Sequence, residues 1–333
     1  MGLGVAMAGS GAMAAEQFSM ATPWGGGPLL NMMAKGFAEK VEFLTDGEIK
    51  LEVFPGGTLG SALKVTETVR NRVAEASHNW SGYDWGIDKT GVLFGGFAGS
   101  PETVKMIHWM YKGGGLELWR EWRMEKFGVV AMPCGTIPRE IFMHSRKPVK
   151  SLADYQGMKV RTSGAWAEIA SRLGASTVIL PGAEVYPALE RGVVDGIEWG
   201  TPSMNKSHGF AKVAKYVIVP GLHQPSAFQE CQFNPAVWDG LSDRQKQLIE
   251  MAAKDMTLDV WMQIGNDDAD AFQEYLASGN EVIDVDEGFK TAAAKATAEW
   301  ADEIAAKEGG WFAKVLASQR EFEQRWSQAH RYR

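Results

Sequence analysis

Apolar and polar residues along this chain fall into two rhythms that follow one another in blocks. Positions 28–44 carry apolar residues at helical spacing and predict a long amphipathic helix; 49–54 alternate apolar and polar as a half-buried strand does, and 61–73 return to helical spacing. Gly56-Gly57 and Gly60 punctuate the turn, so the chain opens as a βαβ unit. Helices are predicted at 102–111 and 116–127, separated by Gly113-Gly114-Gly115, and the apolar run 129–132 begins a crossing towards a second unit. Between 157 and 199 the rhythm tightens. A short strand at 158–162 carries Arg161, 165–173 is helical, 178–180 is apolar, 183–191 is a helix closed by Gly192, and 196–199 is a third strand. That alternation implies a parallel sheet whose strand ends open onto a crevice. Residues 227–233 predict a return strand. Beyond Leu241 the pattern is nearly all helical, interrupted at Ser278-Gly279 and Gly309-Gly310. The fold class is α/β.

A chain of 333 residues exceeds a usual single domain and implies two lobes of ordinary size. With 45% hydrophobic and 23% charged residues it has a globular composition. Its net charge of -7 argues against nucleic acid and anionic membranes as partners, while leaving room for a local positive charge that holds an anion. Residues 1–15 resemble the apolar and cleavage parts of a secretory signal, with Ala12-Met13-Ala14 as the small-x-small pattern and no basic start; a flexible Ala/Gly tail is the alternative. No later stretch reaches the roughly 18–20 uninterrupted apolar residues of a membrane span.

Arg161 is the firmest candidate for chemistry. A guanidinium at a strand end either forms a surface salt bridge or clamps a carboxylate through two parallel charge-assisted bonds. Thr162-Ser163-Gly164 favour the second role, because hydroxyls and backbone N–H groups gather there at a predicted helix start. No G-x-S-x-G, H-E-x-x-H, G-x-x-x-x-G-K-[ST] or G-x-G-x-x-G stands in a suitable context, and Gly25-Gly26-Gly27-Pro28 lacks the Lys-Ser of a phosphate loop. Catalysis is therefore not expected, and an α/β enzyme is the remote alternative. His78, His108, His144, His208 and His330 show no paired metal spacing. Cys134 and Cys231 match no zinc or redox pattern; a disulfide is open in an oxidising compartment, but two buried free thiols are the expectation. Trp261, Trp300, Trp311 and Trp326 in the helical tail are expected to pack on the body of a domain, with a dimer contact as the alternative.

Several blocks, in order, resemble one family. They are LEVFPGGTLGSALKVTETV, SHNWSGYDWG, FGVVAMPCGTIPRE, GMKVRTSG, ILPGAEVYPALERGVVDGIEW and NPAVWDGLSDRQKQLIEMAAK, spread over about 280 residues. Together they are similar to the periplasmic solute-binding proteins of the tripartite ATP-independent periplasmic (TRAP) transporters, especially the branch that binds 2-oxo acids. The resemblance implies a two-lobe periplasmic-binding-protein-like fold with hinge-crossing strands and long C-terminal helices. Lobe I would span 16–137 and lobe II 138–224, with a return to lobe I at 225–260 and C-terminal helices at 261–333. The segments holding Cys134 and Cys231 would be the crossing strands.

The same resemblance implies a ligand site. Arg161 would pair with a carboxylate. Glu198 and Trp199 would lie against the ligand, and Glu198, with Trp199 contributing through backbone and ring, would help hold a Na⁺ or Ca²⁺ ion bridging to the acid, an optional rather than required cofactor. That branch has a glutamine where this chain reads GTIPRE. Glu140 could take its place and keep the metal site, or Arg139 could point inward and replace the cation. Tyr83, Trp24, Asn79 and His223 are further ligand candidates, Tyr83 the strongest. The implied function is capture of a small 2-oxo or 2-hydroxy monocarboxylate in the periplasm and delivery to small and large TRAP membrane subunits, by a monomer or a homodimer joined through the C-terminal helices. An aromatic or sugar acid as ligand, or a ligand-sensing receptor subunit, are the alternatives.

Overall fold

The computed structural model describes residues 15–329, so the signal reading of 1–15 lies, but for Ala15, outside the described residues. Among them the strands are β1 (Glu16–Ala21), β2 (Ile49–Phe54), β3 (Ala76–Asn79), β4 (Val130–Ile137), β5 (Met143–Ser145), β6 (Lys159–Arg161), β7 (Ser176–Val178), β8 (Gly196–Ile197), β9 (Tyr216–Val219), β10 (Ala227–Phe233) and β11 (Glu281–Asp284). They form a five-stranded sheet, β2-β1-β3-β10-β4, and a six-stranded sheet, β11-β9-β5-β8-β6-β7, each the centre of one lobe.

Both sheets are mixed, and the strands of 157–199, expected to pair in parallel, do so within one of them. The parallel pairing holds among β1, β2 and β3 and among β6, β7 and β8. β10 runs antiparallel to β3 and β4, and β5 antiparallel to β8 and β9. The reason is chain direction: β4 carries the chain out of the first lobe and β10 brings it back beside the same path, so the two must run in opposite senses.

β10 is buried along its whole length and β4 beyond its first residue. Cys134 on β4 and Cys231 on β10 form a disulfide, with Cα atoms 5.3 Å apart, and the expectation of free thiols is corrected. Cys231 lies opposite Met132, and the ladder shifts register between Gln229 and Glu230. That local register brings the two sulfurs together, and it cannot be read from two isolated apolar runs.

The helix predicted over 28–44 is one continuous stretch, π-helical over Leu29–Ala34 and α-helical over Lys35–Leu44. The one predicted over 61–73 contracts to Val65–Arg70, because Lys64 at its start has the non-helical φ of -128°. The helix Asp243–Ala277, opened by a Ser242/Gln245 capping box, is about 50 Å long at ~1.5 Å per residue. It packs on β4 and the helix Lys35–Leu44 in one lobe and on the helix Pro202–His208 and β11 in the other. Next, the helix Glu287–Glu308 packs on the second lobe's helix Ala165–Arg172, and the helix Gly310–Ala329 packs on the first lobe's Thr103–Lys112 and Gly115–Phe127. The C-terminal helices thus bracket both lobes. Trp300 is fully buried and stacks on Trp85 with ring centres 5.7 Å apart, while Trp311 and Trp326 are partly buried against the same core.

Closing a loop of 97 residues, the Cys134–Cys231 bond restricts the unfolded chain strongly. Replacing both cysteines by serine is expected to lower unfolding stability by about 2–5 kcal/mol in chemical denaturation; an unchanged midpoint would show that the crossing strands do not need the staple.

Candidate functional site

Strand ends from the second lobe and a loop from the first face each other across a small cavity. Arg161 ends β6, and β8 runs parallel beside it with Arg161 opposite Ile197, so Glu198 and Trp199 emerge at the same edge. Glu140 follows β4 and His223 precedes β10, on the two crossings between lobes. The Glu140 N–H donates to the Gln224 carbonyl at 3.2 Å. A Cβ on Gly221 would fall 2.2 Å from the Glu140 carbonyl oxygen, so the crossings can lie this close only with glycine there. The first lobe supplies Trp24, Trp80 and Tyr83. The cavity encloses about 50 Å³, far below the ~300–1,000 Å³ of sites for drug-sized ligands.

The lobes are closed on each other. Lys89 of the first lobe reaches Glu168 of the second at 2.7 Å, and Glu168 also accepts the Trp300 indole N–H at 2.8 Å. Gly164, with φ +59°, lies under Trp80: a Cβ there would sit 2.9 Å from the Trp80 ring. The cavity's charged groups are shut away from water, with Arg161 2%, His223 3%, Glu198 7% and Glu140 8% exposed.

Arg161 donates from Nη1 to the Glu198 carbonyl at 3.0 Å and to Glu198 Oε1 at 3.3 Å, and from Nη2 and Nε to the Leu180 carbonyl at 3.0 and 3.3 Å. All three guanidinium nitrogens are therefore engaged. A bidentate clamp on a solute would require Glu198 to turn away. The guanidinium also lies 5.2 Å from the centre of the Trp199 ring. His223 Nε2 lies 2.9 Å from Glu140 Oε2 and 3.5 Å from Glu198 Oε2. Burial pushes the Glu140 carboxyl up to about 7, with His223 pulling it back. Burial likewise pushes the Tyr83 phenol up to about 12, and neighbouring Arg161 opposes the rise. Glu140, Glu198 and His223 each offer one donor atom, all within 4.8 Å of one another. This set of two carboxylates and an imidazole suits a cation, and with both carboxylates ionised the single guanidinium leaves one negative charge for it.

Arg161, Glu198, Trp199, Tyr83, Trp24, His223 and Glu140 all line the cavity. Arg139 and Asn79 do not, and both expectations are corrected. Arg139 turns outward, where its guanidinium donates to the Gly221 carbonyl at 2.5 Å and pairs with Glu102. Asn79 shares with Ser77 the face of β3 turned from the cavity: Ser77 donates to Gln232 and Asn79 to Thr66. The intervening His78 accepts the Trp24 indole N–H at 2.8 Å, and Trp80, next along the same face, lines the cavity. Trp80 and Ser163, the latter in the segment expected to gather hydroxyls beside Arg161, line the cavity too, whereas sequence reasoning missed Gln224 and Gln229. Strand parity was the signal for Trp80, and a glutamine inside the apolar run of β10 was the signal for Gln229.

The profile of DctP, the family described as Bacterial extracellular solute-binding protein, family 7, matches residues 21–308. A relative from Nostoc sp., the Monocarboxylate 2-oxoacid-binding periplasmic protein, is 28% identical over 283 residues, covering 84% of this chain and 76% of its own. A TRAP transporter solute binding protein from Bordetella bronchiseptica, solved with copurified calcium and picolinate, superposes with a TM-score of 0.91 at 25% identity, covering 96% of this chain and 94% of its own. One from Pseudoalteromonas atlantica with bound sodium and pyruvate gives a TM-score of 0.88 at 26% identity, covering 95% and 96%.

Two outcomes follow from this geometry. A carboxyl whose folded-state pKa is raised holds its proton more tightly in the folded than in the unfolded chain, so its contribution to stability is full below the ordinary carboxylate pKa and is lost as pH rises through about 7. In chelator-treated, solute-free protein, Glu140→Gln should therefore gain thermal stability relative to wild type as pH is raised from about 5 to about 8; parallel melting curves would contradict it. Separately, Gly164→Ala adds both backbone strain and a clash with Trp80 on closure. Small-angle scattering should find that variant more open than wild type under saturating solute, and an identical closed form would refute the contact's role.

Proposed function

The chain belongs to family 7 of the bacterial extracellular solute-binding proteins, a family of solute binders rather than enzymes, and from that premise we propose that it captures a small 2-oxo or 2-hydroxy monocarboxylate in the periplasm for delivery to TRAP membrane subunits. The observation that carries this reading is the buried Arg161 facing Glu140, Glu198 and His223 in a cavity of about 50 Å³. Arg161 and the neighbouring Tyr83 hydroxyl line the cavity together, where the solute's carboxylate would meet them. Trp24 and Trp80 close the first-lobe wall. The cavity's size favours an acid of a few heavy atoms over a sugar acid. The Cys134–Cys231 disulfide is in keeping with an oxidising compartment.

A cation completes the charge balance. Ionised Glu140 and Glu198 against Arg161 leave one negative charge, and a monocarboxylate adds a second; a divalent ion held by Glu140 and Glu198 cancels both. It would let the acid's oxygens approach two carboxylates without repulsion. That the relative from Bordetella bronchiseptica carries calcium supports this part of the reading. A flat aromatic acid is the second reading, favoured by the walls of Trp24, Trp80 and Tyr83 and by the picolinate in the Bordetella relative.

Calorimetry with pyruvate, 2-oxobutyrate, lactate, picolinate and glucuronate, each with and without chelator, tests both. The small 2-oxo acids should bind most tightly and weaken on chelation, and preference for glucuronate would overturn the assignment. Arg161→Ala should weaken the best acid by roughly two to four orders of magnitude, the equivalent of about 3–5 kcal/mol for an unpaired buried charge.

A further inference from the structure

The donor set of the cavity is not made of oxygens alone. Calcium and sodium are hard ions and take oxygen ligands. Here the three mutually close donors include a nitrogen, because the His223 ring is turned with Nε2 towards both carboxylates, 2.9 Å from Glu140 Oε2 and 3.5 Å from Glu198 Oε2. All three side chains are at least nine-tenths buried.

His223 Nδ1 is buried without a hydrogen-bond partner among the described residues, so the ring's polar contacts are those of Nε2 with the two carboxylates. Imidazole with two carboxylates is a ligand set that favours first-row transition ions over calcium or sodium, and three protein ligands leave coordination positions open for a solute.

We propose that the cation of this site is a divalent transition ion of the manganese-to-zinc class, ligated by Glu140, Glu198 and Nε2 of His223. The proposal rests on the acid-binding reading above only for what occupies the open positions. His223 is then the residue that selects the metal.

The test uses chelator-stripped full-length protein titrated with ZnCl₂, MnCl₂, CaCl₂ and NaCl without any acid, and then with pyruvate. Zn²⁺ or Mn²⁺ should bind one per chain and more tightly than Ca²⁺ by about tenfold or more, and His223→Asn should remove that preference while leaving Ca²⁺ binding in place. Electron paramagnetic resonance of the Mn²⁺-loaded wild type should show nitrogen coupling from the imidazole, which keeps the proposal testable if His223→Asn does not fold. Equal or tighter Ca²⁺ or Na⁺ binding, no metal binding at all, or no nitrogen coupling would each overturn it. Pyruvate binding without transition-metal preference would sink this proposal and spare the acid-binding reading; selective Zn²⁺ or Mn²⁺ binding with no affinity for any acid would do the reverse.

Discussion

Burying two carboxylates, an imidazole and a guanidinium together where two lobes meet is the constraint around which this molecule is arranged. Charges removed from water must be paired or hydrogen-bonded, or their dehydration outweighs what the fold can supply. The parallel pairing of β6 and β8 answers half of that demand, since it brings Arg161 and Glu198 to adjacent strand ends, where the guanidinium meets both the carboxylate and the backbone carbonyl of the same residue. The two crossings answer the other half by holding Glu140 against His223, and Gly221 lets them lie together.

A second buried charge cluster shows what a purely structural solution looks like. Arg123, fully buried in the helix Gly115–Phe127, donates to Asp84 at 2.6 Å and forms a paired contact with Glu230. Glu230 also accepts from the Trp119 indole and the Gln232 amide, and Asp84 accepts from Thr66. Like the cavity, this cluster sets one guanidinium against two carboxylates, but the residual charge is spread over a closed network of donors. In the cavity, by contrast, His223 Nδ1, Trp199 Nε1 and Gln229 Oε1 are left without partners. Similar residue types therefore serve as a rivet in one place and as an open binding set in the other.

Much of this was legible in the sequence because it depends on local rules. Helix and strand periods placed β2 and β10 at their observed bounds and located the long C-terminal helices with their two breaks. The family resemblance pointed to Arg161, Glu198 and Trp199. What failed depended on orientation. Asn79 and Trp80 are neighbours in sequence, but successive strand residues face opposite sides, so choosing Asn79 meant choosing the wrong face. Arg139 and Glu140 pose the same problem in a loop, where only the reach of Arg139 to Glu102 and Gly221 decides which one turns inward. The disulfide and the approach of His223 to Glu140 arise from the pairing of distant segments, which no local window contains.

The direct contacts across the closed interface explain why closure can respond to a solute. Lys89–Glu168 is partly exposed, and ion pairs of that kind are worth about 0–1 kcal/mol. The Gly164–Trp80 approach is a permissive contact, since it removes an obstacle rather than adding a bond. The disulfide and the helical bracket restrain the lobes, but the disulfide joins two strands that pair in the same sheet and is not a contact between the closing faces. A ligand shifts such an equilibrium only by the difference in its affinity for the two states. Apolar side chains cross the interface too, Met204 and Trp199 packing with the first lobe's Trp24 and Leu29, and the buried charges are the groups there whose balance changes most when an anion enters. Electrostatic incompleteness at Glu140, Glu198 and His223 is thus the physical means by which occupancy can be converted into closure.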